Sequence, residues 1–216
     1  RSLTDDSIYK PPNTVKLVTN YFIGFAQLAE RYLNRGDREN AFRAAQGALE
    51  RTTNDLAKRL LLYKMLLSGK MNDELNIFLE REISKPDFIN GREGIMDERL
   101  QVAALLDMVG AKDRADSVVK TERNRLNLKR LNDKIEFGTT LLQNTLDRQA
   151  YDYFRELIAE APTNIEVWKA YTAALYATGR MEEAIGALDR ILELNPSDQS
   201  AINTRRLLIQ QMGKDS

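Results

Sequence analysis

The sequence predicts an all-α protein, an α-solenoid of about five helical hairpins closed by a capping helix. Three observations predict it. A skeleton of apolar and small residues returns about every 34 residues. Within each copy the apolar residues recur at helical spacing on either side of a break. The composition, 43% apolar and 30% charged with only five prolines, is that of a folded, helix-rich chain and not of a disordered one.

Taken in order, residues 1–13 read as an extended lead, since Pro11-Pro12 enforces extension and Asn13 can cap a helix beginning near Thr14. Residues 14–216 read as a single array. Its first copy, 22–55, carries Phe25, Leu28, Ala29 and Tyr32, a break at Gly36, then Ala41, Ala45 and Ala48. The second, 56–95, has Leu62, Tyr63 and Leu66 followed by Leu75 and Leu79, and the step to the third is 40 residues instead of 34. Pro86, Gly91 and Gly94 assign that surplus to a loop insertion at 84–95. The third copy, 96–130, has Val102, Ala103, Leu106, Gly110, Ala115 and Val119. The fourth, 131–164, has Phe137, Gly138, Leu141, Ala150, Phe154 and Leu157 and ends at Pro162. The fifth, 165–198, repeats this with Trp168, Tyr171, Leu175, Gly179, Ala184, Leu188 and Ile191 and stops at Asn195-Pro196. Alanine or glycine is needed where helix backbones approach most closely, at Ala29, Ala41, Gly138, Ala150 and Ala184. A capping helix at 199–213 follows, with Ser197 or Asp198 as its N-cap and Ile202, Leu207 and Ile209 available to pack inward.

The residue types present exclude much chemistry. There is no cysteine and no histidine, which removes disulfides, thiolate nucleophiles, the serine–histidine triad and the usual zinc, haem and iron–sulfur ligands. Neither a catalytic residue, a metal site nor a cofactor is expected, and Asp5-Asp6, Glu182-Glu183 and Glu80-Arg81-Glu82 read as solvated surface. Lysine plus arginine equals aspartate plus glutamate at 32 each, with the signs interspersed, so nucleic acid is not the expected partner. No apolar run is long enough to span a bilayer; LLLYKMLL is interrupted by Lys64. The chain begins at Arg1 and reads as a piece of a longer polypeptide.

Over residues 20–213 the pattern resembles the tetratricopeptide repeat, W-x2-L-G-x2-Y, then A-x3-F, then P. Thr172 stands where the pattern has glycine, and the closing proline is missing from the first three copies. The resemblance implies a right-handed α-solenoid whose first helices line a concave face. At the family's offsets that face holds Glu30, Lys64, Gln101, Thr139, Lys169 and Tyr176. It also implies a protein or peptide ligand held by a few polar anchors, with Trp168 as a buried packing residue. Lys16 and Asn20 have the spacing of a carboxylate clamp, but Ala26 and Glu30 stand where its other lysine and asparagine belong, so no clamp is expected.

A second likeness covers residues 1 to about 50. Leu3, Asp5, Asp6, Ile8, Tyr9, Asn13, Thr14 and Asn20-Tyr21, running into Phe25, Leu28, Ala29 and Gly36, resemble the soluble C-terminal tail of bacterial multi-spanning membrane proteins likened to protein O-mannosyltransferases. That likeness implies an accessory extramembrane domain tethered to a membrane part upstream, where catalysis would lie. Tyr9, Tyr151, Tyr153 and Tyr176 could then stack on sugars. The expected function is therefore a non-catalytic interaction scaffold, with the accessory domain of a membrane glycosyltransferase as the alternative.

Overall fold

The computed structural model describes residues 12–51, 55–92 and 94–213. They are helical throughout, with no strand among the described residues, and fall into two compact units, the first ending at Glu122 and the second beginning at Arg123. The first unit contains α1 (Pro12–Asn34), α2 (Arg38–Leu49), α3 (Leu56–Ser68), α4 (Asn72–Ile83), the single turn α5 (Pro86–Ile89) and α6 (Met96–Met108). Helix α7 (Lys112–Leu126) runs across the boundary. The second unit contains α8 (Leu131–Gln143), α9 (Asp147–Glu160), α10 (Ile165–Ala177), α11 (Met181–Leu194) and α12 (Gln199–Met212).

Every hairpin turns in the same way. The second residue after the first helix takes a left-handed conformation: Gly36, Lys70, Gly110, Thr145 and Gly179, with φ between 56° and 90°. Its amide and the next one reach back over the last helical turn. Gly36 N–H donates to Leu33 O at 2.9 Å and Asp37 N–H to Tyr32 O at 3.0 Å; Thr145 and Leu146 repeat this onto Leu142 and Leu141, both at 3.0 Å. These bonds satisfy carbonyls that a helix end leaves open. The spacing of the left-handed residues is 34, 40, 35 and 34, which is the sequence repeat measured on the backbone. The longer step holds α5, so the segment 84–95 is not a plain loop: Phe88 is buried and lies 4.3 Å from the Arg99 guanidinium.

Small residues sit where they are needed. Ala29, Ala41, Ala150 and Ala184 are fully buried, and the Phe154 ring lies directly on Gly138. In the first unit the core also contains charge, and Glu82, expected on the solvated surface, is buried in it because Arg59 and Tyr63 supply its hydrogen bonds. Glu82 accepts from Arg59 Nε at 2.8 Å, Arg59 Nη2 at 3.0 Å and Tyr63 Oη at 2.7 Å. Arg99 Nε meets Glu122 Oε2 at 2.7 Å, with both side chains at 0% exposure. Burial alone would raise the Glu82 pKa, but Arg59, Lys85 and Tyr63 outweigh it and hold the carboxyl below the ordinary value.

Some expectations require correction. Helix α1 begins at Pro12, not near Thr14, because proline is tolerated in a first helical turn, where its missing N–H costs nothing. The side chain of Asn13 and the lead up to Pro11 lie outside the described residues. In α12, Leu207 and Ile209 are exposed at 59% and 44%; Ala201 and Leu208 point inward instead. Trp168 is only half-buried, its indole N–H donating to Pro162 O at 2.9 Å. Tyr151 and Tyr153 are buried, stacked on Tyr171 and edge-on to Phe137, so neither is presented to a sugar.

Candidate binding groove

In the second unit a groove of about 440 Å³ opens between α10, α11 and α12. Leu188 and Ile191 from α11 and Ala201 and Leu208 from α12 form its buried floor. Ala173 and Tyr176 rise on the α10 side and Leu207 on the α12 side, with Tyr176 and Leu207 about half exposed or more. Lys169, Thr172, Ser200, Thr204 and Gln211 supply a polar edge. Helical spacing produces this wall, since Lys169, Ala173 and Tyr176 follow one face of α10.

An ion pair closes one end. Asp198 is the N-cap of α12, accepting from Ala201 N–H at 3.0 Å, and its other oxygen lies 3.0 Å from Lys169 Nζ. Glu166 approaches the same ammonium at 3.3 Å. The Ala201 amide and then Lys169 hold the Asp198 carboxyl below the ordinary carboxylate value. Asp198 foremost, with Glu166, raises Lys169 above the ordinary lysine value. The end of the groove is therefore ionised at neutral pH and fixed in place, while its middle is apolar.

The six residues placed on the first-helix face are distributed as follows. Lys169 and Tyr176 meet in the groove. Lys64 and Gln101 meet in the first unit, where Lys64 Nζ donates to Gln101 Oε1 at 2.7 Å and joins α3 to α6. Glu30 is exposed on α1, and the Thr139 hydroxyl is engaged by its own helix, donating to Ile135 O at 2.8 Å. Glu30, Lys64 and Thr139 each lie six residues before a left-handed turn residue; by that measure Ala104, and not Gln101, is the third hairpin's equivalent. The sequence pattern places Leu207 in the core and so does not reveal the α12 wall. Its signal was the 34-residue offset to Ala173, which places it on the same face as Lys169 and Tyr176.

Among the described residues no three metal-ligating side chains gather, and no helix is long and apolar enough to cross a membrane.

The repeated left-handed turn, the small residues at the helix contacts and the 34-residue step define an array of tetratricopeptide-like hairpins. Residues 148–205 match the tetratricopeptide repeat family model. Among solved structures the chain is similar to MamA 41-end from Desulfovibrio magneticus RS-1, at 14% identity over 89% of this chain and 86% of that one, with a TM-score of 0.39. It is also similar to YrrB, a TPR protein described as having an unusual peptide-binding site, at 15% identity over 90% and 96% of the two chains, with a TM-score of 0.37. No curated protein matches the sequence. Nothing in these comparisons supports the likeness to membrane mannosyltransferases, and its residues Leu3 to Tyr9 lie outside the described part of the chain.

Proposed function

We propose that this chain is a non-catalytic interaction scaffold that binds a protein or peptide on the faces that the first helices of its hairpins present within each unit. The groove between α10 and α12 is the main anchor point. The observation that carries the reading is an apolar trough of about 440 Å³ that leaves Leu207 and Tyr176 exposed. Glu30, Lys64, Gln101 and Thr139 are proposed as further contacts along the same class of helix face. A trough of this size suits one or two large apolar side chains presented by a helix or an extended segment, oriented by hydrogen bonds to Thr204 and Gln211. Covering the exposed parts of Leu207 and Tyr176 stabilises such a complex by about 1 kcal/mol each.

Selection of random peptides displayed on phage against the purified chain tests this. The selected sequences should share an apolar anchor, and Leu207→Asp should weaken their binding at least about tenfold, because it places a charge in the apolar trough. Circular dichroism should show an unchanged helix content. Failure to select any peptide, or binding indifferent to both Leu207→Asp and Tyr176→Ala, would remove the groove as the site.

A further inference from the structure

Helix α1 is longer than the other helices, and its middle is chemically unusual for this chain. From Leu17 to Ala29 it has thirteen consecutive residues without a charge, bounded by Lys16 and Glu30, in a protein that is 30% charged. One side of this stretch is accounted for: Val18, Phe22 and Ala29 are buried. The neighbouring side is not. Leu17, Tyr21 and Leu28 are exposed at 48%, 51% and 38%, and Gly24 lies in line with them, its missing Cβ facing open space.

These four residues are spaced four, three and four apart, the alternation that keeps one seam facing a partner helix in a left-handed coiled coil. The spacing is also symmetric about its own centre. If a second copy of α1 lies antiparallel across the seam, Leu17 faces Leu28 of the second copy and Tyr21 faces Gly24 of the second copy, twice over. The large ring then fills the space left by the glycine. A parallel pairing would set Tyr21 against Tyr21 and leave a gap between the two Gly24 positions. Lys16 and Glu30, which bound the stretch, stand about 110–150° around the helix from the seam, as does the exposed Ile23, and take no part in the contact. The rim between them, Asn20 and Gln27, is polar, uncharged and exposed.

We infer that the exposed ridge of α1 is a self-association surface, pairing two copies of this chain through an antiparallel, two-fold helix contact with Tyr21 seated on Gly24. The interface is isologous and closes as a dimer.

Sedimentation equilibrium of the full chain over a range of concentrations tests the proposal. The expected result is a mass that rises from one chain to two. Gly24→Gln should abolish the rise, since a side chain there collides with Tyr21 of the second copy. In the single chain a Cβ at that position meets nothing within 4 Å, and the rest of the side chain can extend into solvent, so the thermal midpoint at the dilute end should not fall. The orientation can be read by cross-linking, because the protein has no cysteine of its own. A mixture of Leu17→Cys and Leu28→Cys chains should give a covalent dimer with a short bismaleimide. Leu17→Cys alone should give none, its two thiols being about 16 Å apart along the helices. A mass of one chain at every concentration, association untouched by Gly24→Gln, or cross-linking of Leu17→Cys with itself would each overturn the inference.

Discussion

Two glycines in neighbouring hairpins should respond to the same substitution with opposite signs. A Cβ on Gly138 in α8 would lie 2.4 Å from Phe154 Cζ and 2.8 and 2.9 Å from the two adjoining ring carbons, where ordinary contact begins at 3.4 Å. The ring must move by about an ångström, yet Phe154 is fully buried and has Tyr153 edge-on beside it. Overpacking of this kind costs about 2–3 kcal/mol, the upper part of its usual range. Alanine in place of a helical glycine returns about 1 kcal/mol, so Gly138→Ala should destabilise by about 1–2 kcal/mol. Gly186 in α11 is exposed, and a Cβ there meets nothing within 4 Å. Only the backbone effect then acts, and Gly186→Ala should stabilise by about 1 kcal/mol. Urea denaturation followed by far-ultraviolet circular dichroism reads both; with a slope of about 1–3 kcal/mol per molar, the two midpoints should separate by on the order of 1 M. A Gly138→Ala midpoint at or above that of the unaltered protein would refute the reasoning, because helix propensity would then outweigh the contact with Phe154.

Thr145 holds a left-handed φ of 58° with an exposed side chain. Thr145→Gly should therefore raise stability by about 0.5–1 kcal/mol, the relief of strain less the greater freedom of an unfolded glycine, and the thermal midpoint of the second unit by several degrees. In the first unit, Glu122→Ala strands the buried Arg99 and should cost about 3–5 kcal/mol, while the double exchange Arg99→Met with Glu122→Leu should be far milder; equal losses from both in urea denaturation would show that the charge itself is needed. Burial pushes the Tyr153 phenol up from 10.0 to about 12. The folded state thus favours the protonated ring, and the stability it contributes is complete below pH 10.0 and lost as pH rises through about 12. Tyr153→Phe should flatten the fall of the urea midpoint over that window, and an identical fall in both proteins would count against the assignment.

The parts of the fold that were legible in the sequence are those where a repeat position is filled by the side chain the packing prefers. Trp168 and Ile191 stand 23 residues apart on the two helices of the fifth hairpin, and both read as apolar. The equivalent positions of the second and third hairpins hold Arg59 with Glu82 and Arg99 with Glu122, again 23 apart, and each pair forms a buried ion pair. Hydrophobic periodicity treats such residues as surface, so the pattern fades over 56–130 although the hairpins remain. The recurrence of an arginine–glutamate pair at one separation, 40 residues on, was the available signal. Turns were hidden in the same way: Lys70 and Thr145 adopt the conformation that Gly36, Gly110 and Gly179 announce. Lys169 and Tyr176 were legible as surface of one helix face. The groove between them was not, because it depends on which side of α12 turns inward.

That choice rests on two arginines. In register, α12 repeats the first helix of a hairpin: Asp198 caps it as Asn164 caps α10, and Gly213 lies 34 residues after Gly179. Yet Arg205 and Arg206 occupy the places of Tyr171 and Thr172, the second of which corresponds to Gly138, where a following helix approaches most closely. A long cation at that point differs from the small residue on which Phe154 packs at Gly138. Arg205 is instead tied back to Asp189 of α11, and Gly213 keeps a right-handed φ of −71° instead of making the hairpin turn. With the arginines facing water on one side, Ala201 and Leu208 are drawn against α11, and Leu207 is left on the side of Ala173 and Tyr176. The residues that set α12 apart from the first helix of a hairpin are thus the ones that leave the groove open, and the proposed binding at this end of the second unit depends on the same turn of helix.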